Sequence, residues 1–193
     1  MMDSQIVWTR WDDPGLEHLH LSRSPDGSVE AESIVVGVAD GRPFSLRYYV
    51  ESDTSWRVRQ CRVEALQGAV RIDLRSNGDG TWAGSDGEGL PELAGCIDVD
   101  IEATPYSNTL PIRRLNLQPG ESRENGVVYV SVPTLDVSVK RQVYTCLERD
   151  RRYRFQSVDS GFTADLPVDH DGLVLDYPGL FRRVNLPLSP TVD

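Results

Sequence analysis

Apolar and polar residues alternate with period two along most of this chain, which puts one face of each segment in a core and the other toward water. Ile6 to Trp11 is the first such segment; Leu16 to Ser22 follows the turn at Asp13-Pro-Gly15, with Glu17, Leu19 and Leu21 on one face and His18 and His20 on the other. Asp26-Gly27 is a hairpin turn ahead of Val29 to Ala39, and Gly41-Arg-Pro43 leads into Phe44, Leu46, Tyr48 and Val50, alternating with Ser45, Arg47, Tyr49 and Glu51. After Trp56 and Val58 the apolar set changes phase to Cys61, Val63 and Ala65, which predicts a β-bulge near Arg59-Gln60. Val70, Ile72 and Leu74 run to the turn Asn77-Gly-Asp-Gly80. Six further strands are predicted: Val127 to Val132, Leu135 to Leu147, Tyr153 to Ser157, Phe162 to Val168, Leu173 to Asp176 and Phe181 to Leu186. About a dozen strands at roughly 8–12-residue spacing, with almost no helix candidate, is the pattern of an all-β sandwich or barrel.

The stretch from Cys96 to Leu117 breaks the pattern. Ile97, Val99 and Ile101 alternate with Asp98, Asp100 and Glu102, a strand with one apolar and one acidic face. Pro105, the turn residues Ser107-Asn108-Thr109 and Pro111 then carry the chain out of the sheet, with re-entry predicted at Ile112-Arg-Arg-Leu115. The flanks of this stretch resemble each other. Val50 to Val58 lies over Leu147 to Phe155, matching Trp56 to Tyr153; Asp73-Leu74 with Asp79-Gly80 lies over Asp165-Leu166 with Asp171-Gly172; and Ile112-Arg-Arg-Leu-Asn-Leu117 lies over Phe181-Arg-Arg-Val-Asn-Leu186. Three matches in one order predict an internal duplication, with halves at about 26–117 and 125–186 inside one domain spanning 1–193.

A chain of 193 residues, 39% hydrophobic, has enough material for a sizeable core. Its net charge of -10 argues against nucleic acid and anionic membrane surfaces, which require clustered Lys and Arg. No apolar run approaches a membrane span, and no basic region followed by an apolar core opens the chain, so no stable membrane insertion is expected and the location expected is cytoplasmic. Cys61, Cys96 and Cys146 lie far apart and are expected to be reduced structural thiols.

The ordered segments Ala31-Glu-Ser33, Trp56-Arg-Val-Arg59, Gly95-Cys-Ile-Asp-Val-Asp100, Thr104-Pro-Tyr-Ser-Asn-Thr-Leu-Pro-Ile-Arg-Arg114, Gln142-Val-Tyr-Thr145 and Gly172 to Arg183 carry a family resemblance over nearly the whole chain. The chain resembles the bacterial family described as "putative glycolipid-binding", with Tyr106-Ser107 where that family usually has Phe-Thr. The resemblance implies one large curved antiparallel sheet closing into a barrel-like shape, similar in outline to periplasmic lipoprotein carriers, and it brings no catalytic residues with it.

About a dozen strands in one closed sheet would leave an open lumen, whereas a flattened sandwich would leave none. The expected inward face of the long strand is Leu135, Val137, Val139, Arg141, Val143, Thr145 and Leu147, greasy with a polar break at Arg141. The function expected is non-catalytic binding or carriage of an amphipathic, lipid-like or glycolipid small molecule. Arg113 or Arg114 would hold the head group, and Arg141, Tyr106, Trp56, Tyr153, Asp98 and Asp100 complete the candidate ligand-binding set. The alternative is a cofactor-independent hydrolase or isomerase using Asp98 and Asp100 as an acid-base pair. Against it, no nucleophile-base spacing and no phosphate loop appears, and the two aspartates are better explained as ion-pair partners of Arg113, Arg114, Arg182 and Arg183. His18 and His20 share a strand face but lack a third ligand nearby, and His170-Asp-Gly172 reads as a turn, so no metal and no cofactor is expected.

Overall fold

Strand alternation governs the computed structural model, which describes residues 3–184. In chain order the strands are β1 (Asp3–Arg10), β2 (Gly15–Arg23), β3 (Val29–Ala39), β4 (Arg42–Ser52), β5 (Val58–Ala65), β6 (Arg71–Ser76) and β7 (Trp82–Gly84), then β8 (Asp98–Ile101). A 3-10 turn at Pro105–Asn108 and the short helix α1 (Thr109–Leu115) follow, and β9 (Ser122–Val130), β10 (Val137–Glu148), β11 (Arg152–Ser157), β12 (Thr163–Pro167), β13 (Asp176–Tyr177) and β14 (Phe181–Arg183) complete it. The all-β class is as expected. Asn185 and Leu186, the end of the last expected strand and of the third internal match, lie outside the described residues.

The strands form two hydrogen-bonded sheets rather than one. Nine strands run in the order β13-β14-β1-β2-β3-β4-β5-β6-β7, and five in the order β12-β11-β10-β9-β8. The sheets meet along two seams. On one side the Leu175 N–H donates to the Pro167 carbonyl at 2.9 Å; on the other the indole N–H of Trp82 donates to the Cys96 carbonyl at 2.7 Å. Beside this second seam Gly80, at φ +98°, lies so close to Gly95 that an added Cβ would stand 2.9 Å from its Cα, so only glycine fits. The predicted bulge is present: Glu51 pairs Gln60 and Ser52 pairs Val58, leaving Arg59 as the extra residue. One pair is parallel, β8 beside β9, because the chain leaves the sheet after Ile101, crosses over through α1 and re-enters at the opposite end, beside the start of β8.

That excursion corrects the reading of the central stretch. Ile112 to Leu115 is helical, not a returning strand. The Thr104 hydroxyl accepts the Tyr106 N–H and starts the 3-10 turn, Pro105 occupies its first position, and Pro111 falls in the first turn of α1, where a backbone donor has no partner to lose. Asn116, left-handed at φ 45°, ends the helix. Residues 103–112 are all buried and enter the space that a closed sheet would leave open. Tyr106 and Leu110 pack into the core under β1–β6 and Ile112 into a second core with Tyr144, Phe155 and Leu166. The expected open lumen is therefore plugged by the chain's own middle segment.

The internal duplication does not emerge as a structural repeat. Val50–Val58 and Leu147–Phe155 both span hairpins, and Leu74 and Leu166 both lie on the following strands, but the Arg-Arg segments take different structures, helix in α1 and strand in β14. The three cysteines are free and buried, and burial pushes the Cys61 thiol up to about 12.

Candidate functional site

The plug leaves a cleft of about 750 Å³ where the two sheets meet, lined by β8, β10 and β11, by the 102–108 segment, by β13–β14 and by the adjoining ends of β3 and β4. Its two walls differ in chemistry. One is aromatic: Phe155 lies 6.3 Å from Phe162 and 6.1 Å from Tyr177, and Tyr177 lies 6.3 Å from Phe181, ring centre to ring centre. These separations favour tilted and edge-on contacts, so the rings form a continuous surface rather than separate anchors.

The other wall is a hydrogen-bonded polar strip. The Gln142 side-chain N–H donates to Asp100 Oδ2 at 2.6 Å, and the Tyr144 hydroxyl donates to Asn108 Oδ1 at 2.9 Å while lying 3.5 Å from Gln142 Oε1. Tyr144 also packs edge-on to Phe155 at 5.6 Å, joining the strip to the aromatic wall. Burial, opposed by the Gln142 hydrogen bond and reinforced by neighbouring Glu102, pushes the Asp100 carboxyl up to about 6. Burial and the Asp100 charge together push the Tyr177 phenol up. Val132, Val38, Phe44 and the hairpin tip at Ser160–Phe162 complete the rim, with Phe162 41% exposed at the mouth.

Of the residues expected to bind ligand, Asp100 alone lines this cleft. Asp98 is two residues along the same strand but fully buried, and both its oxygens are taken: Arg114 binds it bidentately at 2.9 and 2.7 Å, and Asn125 donates at 2.7 Å. An acid-base pair needs two available carboxylates, so the Asp98–Asp100 pair cannot act as one. The ion-pair reading holds for Asp98 with Arg114, whereas the partner of Asp100 is an amide. Arg113 stacks 5.5 Å over Trp56 and reaches the His170 carbonyl; Arg182 stacks over Trp11 at 3.6 Å, and Arg183 pairs with Asp169. Trp56 is buried in the β4–β5 turn, Tyr106 is buried 6.4 Å from Tyr48, and Tyr153 lies in the second core with its hydroxyl accepting the Asp150 N–H.

The expected inward face of the long strand holds at Leu135 and Val137, which pack in the core, and is corrected from Val139 on. Gln142, Tyr144 and Cys146 point inward, while Val139 and Arg141 are exposed and Arg141 lies 3.5 Å from Glu124. Apolar residues occur on both faces of this strand, so alternation had two solutions one residue apart, and a slip by one flips every side chain.

Behind the cleft floor sits a second polar group. Glu17 is buried among apolar neighbours, and one of its oxygens accepts hydroxyl protons from Tyr48 at 2.6 Å, Thr104 at 2.7 Å and Ser33 at 3.0 Å. Among the described residues its other oxygen has no partner, nor has the Tyr106 hydroxyl. Burial, only in part offset by those three donors, pushes the Glu17 carboxyl up to about 7. Elsewhere, Asp169, His170 and Asp171 bring ligand atoms within 4.8 Å of one another. There Asp169 is already occupied, by Arg183 and by the N–H groups of Asp171 and Leu173, as in an ordinary turn. No helix among the described residues is long and apolar enough to cross a membrane.

Comparison with known proteins bears on this geometry. No curated protein matches the chain. A crystal structure of a DUF1089 family protein from Pseudomonas aeruginosa is similar at 37% identity and a TM-score of 0.78, over 90% of this chain and 95% of that one. A β-barrel-like protein of the domain of unknown function DUF1849 from Brucella abortus shares the fold at 9% identity, with a TM-score of 0.54 over 95% of each chain. The family model described as "Putative glycolipid-binding" matches residues 5–183, nearly the whole described length, and the chain belongs to that family.

Proposed function

We propose that the cleft binds an amphipathic, lipid-like molecule without transforming it, the apolar part lying on the aromatic wall and the polar part on the strip around Asp100. The observation that carries this reading is the two-sided cleft itself, aromatic along Phe155, Phe162, Tyr177 and Phe181 and hydrogen-bonding along Asp100, Gln142 and Asn108. A volume of about 750 Å³ is in the range of small-molecule sites. Covering about eight methylenes at roughly 0.8 kcal/mol each yields on the order of 6 kcal/mol before association costs, enough for micromolar binding once the head group contributes. The family's description agrees with such a ligand. This reading keeps the carrier role expected from the sequence and moves the head group from Arg113 or Arg114 to Asp100.

The neutral dye Nile red, whose emission rises in apolar surroundings, is the test. It should bind saturably and be displaced by single-chain amphiphiles, and Phe162→Ser should weaken it about tenfold without changing stability, because Phe162 is half-exposed at the mouth. Unsaturable binding, or an unaffected Phe162→Ser protein, would refute the reading.

A further inference from the structure

Behind the cleft floor, the plug hangs on one buried carboxyl. We propose that binding of an amphiphile in the cleft is coupled to the proton on Glu17, so that the ligand is held while this carboxyl is neutral and let go as it ionises. The inference rests on the cleft being an amphiphile site and adds how that site is regulated.

The two oxygens of Glu17 stand in different surroundings, in a residue only 2% exposed. Oε1 collects the hydroxyl donors, among them Thr104, which starts the 3-10 turn of the plug and also lines the cleft. Oε2 accepts nothing among the described residues, and Glu17 borders a recess of about 10 Å³, room for no more than a single water. A neutral carboxyl tolerates that position far better than a carboxylate, whose charge needs hydration or a cation. Arg10, Phe44, Ala103 and Phe181 line both the recess and the cleft, so one layer of side chains separates the two. Hydrating an ionised Glu17 from the cleft means passing that layer. An alkyl chain lying on Phe44 and Phe181 covers it, which penalises the carboxylate further and tightens the hold of Glu17 on its proton. The coupling is reciprocal, so the proton strengthens ligand binding by the same factor.

No other charge beside Glu17 takes over this role. The strand β3 presents Ser33 and Val35 to it, β14 Phe181, and the plug Ala103 and Thr104. Tyr48 on β4 and the neighbouring Tyr106 of the plug are phenols that burial holds well above their ordinary range, so both stay neutral. Arg10 on β1 is the one cation at the recess among the described residues, and it lies 5.2 Å over Phe181 and 3.8 Å from Asp13. His18 is on the opposite, exposed face of β2. Asp100 lines the cleft, and its carboxyl is pushed up only to about 6, so it titrates below Glu17.

Affinity is therefore greatest below about pH 7, where the free protein already carries the proton, and it falls as pH rises through 7 until the liganded carboxyl ionises as well. Nile red suits the test because it carries no group that titrates in this range. If covering the recess raises the Glu17 titration by about one pH unit, Nile red should bind the full chain about sixfold more weakly at pH 8.5 than at pH 6.5. Glu17→Gln should hold the pH 6.5 affinity throughout, and Asp100→Asn should keep the dependence. Independently of any variant, calorimetry of dodecyl maltoside binding below its micelle concentration, in phosphate and in Tris at pH 7.5, should show uptake of about half a proton per ligand. Affinity that is flat or rises with pH, or binding without proton uptake, overturns the coupling and leaves the cleft reading intact. A dependence that survives Glu17→Gln and vanishes in Asp100→Asn assigns the proton to Asp100 and overturns it too. Failure of either ligand to bind saturably at any of these pH values removes the cleft reading and this inference with it.

Discussion

Glu17 gives the sharpest prediction about stability. In the folded protein its carboxyl titrates at about 7 against an ordinary 4.5, because burial penalises the charged form more than the Tyr48, Thr104 and Ser33 hydroxyls compensate. The folded state therefore holds this proton more tightly than the unfolded chain does, and between those two values unfolding releases it. Stability from this group is fully present below about pH 4.5 and falls as pH rises toward 7. The difference of about 2.5 units corresponds to about 3 kcal/mol, lost by the time the folded carboxylate is ionised. Glu17→Gln keeps an acceptor oxygen for the three hydroxyls and cannot ionise. Urea denaturation of both proteins between pH 5 and 8.5 should show the parent losing about 2.5 kcal/mol relative to the variant, the remainder having gone below pH 5, with the difference flat above about pH 7.5. A constant difference across that range would mean that Glu17 is ionised in the fold throughout and that its surroundings stabilise the charge.

Two other perturbations test the packing around the plug. Asp98→Ala strands Arg114, whose side chain is 13% exposed, and should cost about 3–5 kcal/mol in chemical denaturation, far more than any exposed pair such as Arg47 with Glu64. Tyr106→Phe removes a buried hydroxyl that has no partner among the described residues and should be neutral or stabilise by about 1 kcal/mol; a loss of about 1 kcal/mol or more would reveal a hydrogen bond at this oxygen.

Strands were legible because their signals are local. The alternation at Phe44 to Val50 and the phase change at Arg59 each fix which side chains face the core, and the structure keeps both. The helix over Thr109–Leu115 was not legible: seven residues with Pro111 among them are too few to display a 3.6-residue period, and Ile112 with Leu115 fits a strand edge equally well. Asp98 and Asp100 look equivalent in sequence, and only the partner that reaches each one separates them, Arg114 from α1 and Gln142 from β10. The cleft gathers Asp100, Asn108, Gln142, Phe155 and Tyr177 from separate elements, so no spacing announces it. A trace was available, since Asn108, Gln142, Tyr144 and Tyr177 all fall inside the segments shared with the family. Glu17 on the face of Leu19 and Leu21 was another, because a carboxylate on a core-facing stripe needs an explanation.

A crystal structure of the protein grown with dodecyl maltoside tests the central claim most directly. The account predicts the alkyl chain against Phe155 and Phe162, with the first sugar ring in hydrogen-bonding reach of Asp100 and Gln142. Detergent bound elsewhere with the cleft empty at saturating concentration, or the cleft closed by its own side chains, would contradict it.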